Sequence, residues 1–105
     1  KFPHTYESYQ KLNPAPNFDF FTQETLKMWL DTTHSGMPGD AVKNISCPLL
    51  MIRGDDDPFL PIESVTRLSD IIKGSHLLNI SFAGHAPFED QKDIFMISLN
   101  EFLKK

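Results

Sequence analysis

The chain has 105 residues, is 40% apolar and 23% charged, and carries a net charge of −4. That is enough for one domain of ordinary globular composition. No basic patch stands out to neutralise phosphates, and no apolar run approaches the ~20 residues that cross a bilayer, so neither a nucleic-acid nor a membrane partner is expected.

The chain opens on Lys1, not methionine, and no basic-then-apolar leader follows. It reads as a processed or trimmed piece of something longer. Cys47 is the one cysteine and has no internal disulfide partner, which fits a reducing, cytoplasmic compartment.

Residues 1–21 hold Pro3, Pro14 and Pro16 among scattered aromatics. They predict mostly irregular chain, with a short helix over 6–12 and a breaker cluster at "NPAPN". "TQETLKMWLDTT" predicts a helix capped by Thr22, with Glu24 in its first turn. Leu26, Trp29 and Leu30 share one helical face. Two glycines and a proline in "HSGMPGD" end it.

From Ile45 the texture changes. "PLLMIR" is a short apolar run between Pro48 and Gly54 and suits a strand buried on both faces. Pro61 suits a first helical position, and Ile62, Val65, Leu68, Ile71 and Ile72 make an apolar stripe that Gly74 closes. "HLLNISF" reads as a second strand and "AGHAPFED" as a loop. Asp90 is the expected cap of a last helix whose buried face is Ile94, Phe95, Leu99, Phe102 and Leu103.

Strand, helix, strand, helix argues for an α/β class with parallel strands. The strands are expected near 48–53 and 76–82, adjacent, with a helix over 61–73 crossing between them. Two strands expose edges and give helices little sheet to cover. Residues 45–105 therefore read as the end of a larger sheet. "PLLMIR" should find a strand neighbour in a missing N-terminal part or by self-association.

Sites in open α/β sheets form at the carboxyl ends of strands. One loop leaving such an end carries Asp55, Asp56 and Asp57; the other carries Gly84 and His85. A carboxylate beside an imidazole fixes the ring's tautomer and stabilises the imidazolium. The ring can then take a proton from a nucleophile or water.

"CPLLMIRGDDDPFLP" followed by "HLLNISFAGHAPFEDQKDIFMISLNEFL" resembles the C-terminal end of α/β-hydrolase fold enzymes. In that family the penultimate strand ends in glycine, two variable residues and the acid, and the final strand leads to Gly-His. The resemblance implies Asp57 as the catalytic acid and His85 as the base, with Asp55 and Asp56 solvated. It implies that the Asp57 carboxylate, not its neighbours, lies within about 2.6–3.2 Å of the His85 ring. Gly54 would give the backbone freedom to turn. Residues 1–44 are then read as an irregular and helical cap-derived segment, in which 22–44 resemble the chain's return from the cap domain and 1–21 match nothing in the family, and 45–105 as the C-terminal part of the core.

The family's nucleophile sits in a Gly-x-Ser-x-Gly elbow between a strand and a helix, and no such motif is present. Ser35 follows a helix and lacks that context. The expected function is that of a C-terminal part of a hydrolase cutting an ester, amide or similar bond in a small-molecule substrate, without a cofactor or metal. Alone it should be inactive. The alternative is a non-catalytic binding or assembly module.

Blander readings stand beside these. Asp57 could be a turn residue and His85 a surface histidine. "DDD" could hold a divalent cation, but no further ligand cluster follows. "RGD" at 53–55 ends a strand, whereas adhesion needs an exposed loop tip. His4, His34 and His76 read as structural or exposed.

Overall fold

The computed structural model describes residues 3–33 and 36–104, so His34 and Ser35 lie outside the described residues. The chain divides into two units, Lys1–Gly39 and Asp40–Lys105.

The first unit holds α1 (Pro3–Leu12) and α2 (Phe18–Leu30). α1 starts well before the expected short helix. Pro3 at its first position is tolerated because the missing N–H has no helical partner there. α2 starts at Phe18 rather than near Thr22, because the Asn17 side chain accepts from the Phe20 N–H and supplies the cap. Thr22 instead donates to the Phe18 carbonyl from inside the helix (2.8 Å). Aromatic contacts join the two helices. The Tyr6 edge meets Phe18 at 5.0 Å, and Tyr9 stacks on Phe21 at 5.0 Å. The Tyr9 hydroxyl also accepts from the Asn17 N–H (2.9 Å). Leu26, Trp29 and Leu30 are exposed in this unit.

The second unit opens within a 3₁₀ turn, Gly39–Asn44, which leads towards β1 (Leu50–Gly54). Then follow α3 (Ile62–Ile71), β2 (His76–Ile80), a single turn α4 (Pro87–Asp90) and α5 (Lys92–Leu103). The class is α/β. The sheet has two strands, β1 and β2, parallel and in register from Leu50 opposite His76 to Gly54 opposite Ile80. Parallel strands need a crossover, and α3 supplies it. Gly74, at φ 77°, takes the left-handed turn between α3 and β2 at no steric cost.

α3 and α5 both pack against the strands. Val65, Ile72, Ile80 and Ala83 form the buried apolar core among the described residues, and Pro87 is buried as well. The α5 stripe is less covered than its spacing predicts: Phe95, Leu99 and Phe102 are half-buried, whereas Ile94 and Leu103 are exposed. Two strands offer too narrow a face to cover the full stripe of a twelve-residue helix. Asp90 does not cap α5. Gln91 holds that position, and Asp90 closes α4 instead.

Ile80 is the largest fully buried side chain. Truncating it removes apolar contacts and leaves a cavity. Ile80→Ala should lower the unfolding free energy by about 3 kcal/mol in urea titrations.

Candidate active site

The carboxyl ends of β1 and β2 lie side by side, and their loops are joined through the backbone. The Asp55 N–H donates to the Ile80 carbonyl (2.8 Å), and the Asp56 N–H donates to the Ala83 carbonyl (2.9 Å). Gly54 lies where the two loops approach most closely. A Cβ there would sit 2.0 Å from the Gly84 carbonyl oxygen and 2.4 Å from that of Ala83. Glycine is therefore required by proximity rather than by turning freedom. Gly39 and Gly74 are the described glycines with positive φ, and Gly54 is not among them.

This approach brings Asp57 to His85. Asp57 Oδ2 lies 2.9 Å from His85 Nδ1. Asp57 Oδ1 accepts two backbone N–H groups, from Phe59 (2.8 Å) and Leu60 (3.2 Å). The Asp57 side chain is only 5% exposed, whereas that of His85 is 67% exposed. Burial raises the Asp57 carboxyl pKa. The hydrogen bond from His85, the N–H groups of Phe59 and Leu60, and attraction to the ring outweigh it, so the net value falls below the ordinary 3.8. An ionised carboxylate only accepts, so Nδ1 carries the proton and, in the neutral ring, Nε2 keeps its lone pair. The Phe59 ring stands edge-on to the imidazole at 5.1 Å and borders it on one side. Such a ring can take a proton at Nε2 while the carboxylate steadies the resulting charge.

Asp55 is exposed, as expected of a solvated loop residue, and it also has a side-chain partner. Its Oδ1 accepts from Asn79 Nδ2 (2.7 Å), across the strand pair from the buried Arg53. Asp56 is exposed, as its place in the turn suggests. Arg53 is 6% exposed, so its "RGD" is no adhesive loop tip. On the histidine side, Asp90 Oδ2 accepts from the Gly84 N–H (2.8 Å) and holds the residue before His85. Phe82, 83% exposed, adopts φ 60°, an outlier for a bulky residue, and its carbonyl accepts from Gln91 (3.2 Å).

The two strand-end loops and the resemblance singled out Asp57 and His85 but passed over Arg53, Asn79 and the loop contact of Asp90. An arginine closing an apolar run was the available signal for Arg53. Period-two alternation put Asn79 on one face of its strand, but not opposite Arg53.

A search of protein families finds no matching family model, and a search of curated proteins finds no significant match. Among the described residues, no three His, Cys, Asp or Glu side chains converge to hold a metal ion. No described helix is long and apolar enough to cross a membrane. A cleft of about 150 Å³ lies at the other end of the strands, lined by Leu50, His76, Ser98, Glu101 and Phe102. Glu101 there accepts from Lys104 (2.6 Å) rather than from His76 or Ser98, so the cleft lacks the linked geometry of the Asp57–His85 pair.

Gly54→Ala should cost about 3 kcal/mol, because the new methyl meets backbone rather than a side chain that can move. Urea unfolding measures the loss. A second test concerns pH. The lowered native value means that Asp57 ionisation stabilises the fold fully above the ordinary carboxyl value of 3.8, and less as pH falls through the native value. The stability gap between wild type and Asp57→Asn should therefore shrink as pH falls below about 4.

Proposed function

We propose that this chain supplies the acid and histidine of a Ser-His-Asp triad on the C-terminal part of an α/β-hydrolase fold, with an ester, amide or similar bond as substrate. The observation that carries this reading is the 2.9 Å contact between Asp57 Oδ2 and His85 Nδ1 at the carboxyl ends of adjacent parallel strands. The third residue after Gly54 is the one that reaches the ring, as the resemblance requires.

In this reading His85 Nε2 takes the proton of a serine hydroxyl as that oxygen attacks the substrate carbonyl. The protonated ring then gives the proton to the leaving group. Asp57 holds Nδ1–H and stabilises the imidazolium. The serine comes from a preceding strand–elbow–helix unit, and β1 presents its second edge to a strand of that part. Self-association along the same edge is the alternative arrangement.

The test uses the polypeptide in which a strand–Gly-x-Ser-x-Gly–helix unit precedes this chain. Asp57→Asn should lower kcat by about 10⁴-fold with the fold retained, because the amide can hold the wrong tautomer and supports no imidazolium. Asp55→Asn and Asp56→Asn should keep most of the turnover. Near-normal turnover in Asp57→Asn beside loss in Asp55→Asn or Asp56→Asn moves the acid to that residue; near-normal turnover in all three refutes the triad, and a wild type without turnover favours a binding or assembly module.

A further inference from the structure

We infer that Arg53 is a positioning residue for the Asp57–His85 pair: its buried guanidinium fixes the turn that aims the Asp57 carboxylate. The inference rests on the acid–base reading of that pair.

A guanidinium stays charged at any working pH and is rarely buried without partners. Arg53 is the buried charged residue among those described. Its Nε donates to the Leu60 carbonyl at 2.7 Å. Its Nη1 donates to Asn79 Oδ1 at 2.9 Å and to the Asp55 carbonyl at 3.3 Å. The carboxylate of Asp55 lies farther away, at 3.8 Å, so Arg53 mainly binds neutral acceptors. Two of these acceptors are backbone carbonyls, and they bracket Asp57 in sequence.

Leu60 makes the link direct. Its carbonyl is held by Arg53, and its N–H donates to Asp57 Oδ1. One peptide segment therefore connects the guanidinium to the oxygen that does not face His85. With Oδ1 pinned by Leu60 and Phe59, Oδ2 is left directed at Nδ1. Asn79 completes the brace. It accepts from Arg53 and donates to Asp55 Oδ1, so it ties the start of the turn to β2. The parallel register that pairs Arg53 with Asn79 thereby sets the geometry of the turn.

A merely structural arginine would change stability alone. A positioning arginine also changes the pair in chains that remain folded. The experiment follows the Asp57 carboxyl by ¹³C titration and the His85 Nδ1 proton by ¹⁵N-edited NMR, in the whole chain. Arg53→Met keeps the apolar stem and removes every donor. The Asp57 midpoint should rise towards the ordinary carboxyl value, and the Nδ1–H signal should be lost to exchange. Arg53→Lys retains one donor within reach of Leu60 and should restore part of both signals. If Arg53→Met gives no dispersed amide spectrum, Asn79→Ala carries the test from an exposed position and should shift both signals in the same direction by less. Unchanged signals in the folded variant, beside a wild type whose Asp57 midpoint responds to His85→Ala, overturn the positioning role and leave the pair intact. A wild-type Asp57 indifferent to His85→Ala overturns the pair itself, and this inference with it.

Discussion

A side chain on residue 54 would have to share space with the backbone of residues 83 and 84, since its Cβ would lie 2.0 Å from one carbonyl oxygen and 2.4 Å from the next. That near-contact depends on glycine, and the site depends on the near-contact. It lets the turn after β1 lie against the loop after β2, where two N–H groups of the first reach carbonyls of the second. Those bonds satisfy backbone groups that would otherwise be stranded beside the core. They also fix the separation between Asp57 and His85 more tightly than side-chain contact alone could.

The same region holds the most covered apolar residues. Ile80 ends β2, and its carbonyl accepts from Asp55; Ala83 lies in the histidine loop, and its carbonyl accepts from Asp56. Core and site therefore form together. Loss of packing under Ile80 would loosen both loops at once, whereas the exposed α5 residues Ile94 and Leu103 have no such link. Asp90 and Arg53 act at the margins of this arrangement, one on Gly84 and the other on Leu60. Neither touches the imidazole in a hydrogen bond. Each restricts a backbone segment next to a residue that does.

The strand–helix–strand order was legible because its signals are local: an apolar run closed by Gly54, a 3.6-residue stripe from Ile62 to Ile72, and turns with Gly and Pro between them. The Asp55–Asp57 loop and the Gly84–His85 loop were legible because the carboxyl ends of parallel strands concentrate their loops in one place, and the choice of Asp57 within the first came from the resemblance to α/β-hydrolases. What escaped was set by pairwise register. That Asn79 faces Arg53 depends on which residues of the two strands lie opposite, and alternation within each strand leaves that open. The reason for Gly54 escaped likewise, since its neighbours are distant in sequence. In the first unit, three prolines suggested irregular chain. Yet Pro3 stands where a helix tolerates it, and contacts between Tyr6, Tyr9, Phe18 and Phe21 bring the two helices together. Helical packing of this kind commonly outweighs intrinsic propensity.

The division of exposure within the pair also sets its direction of action. Asp57 is enclosed by its own turn and spends both oxygens on fixed donors. Its side chain is almost fully enclosed, so its influence passes through the ring. His85 is two-thirds exposed, with Nδ1 committed and Phe59 standing edge-on beside it. The remaining reactive position is Nε2, and a group that exchanges a proton with the pair must approach there. The groups that orient the ring lie between Arg53 and Asp90, on two loops and their bracing side chains. The pair can therefore be pre-set by this strand–helix–strand unit, and a nucleophile brought to Nε2 by another segment would meet a base whose tautomer is already chosen.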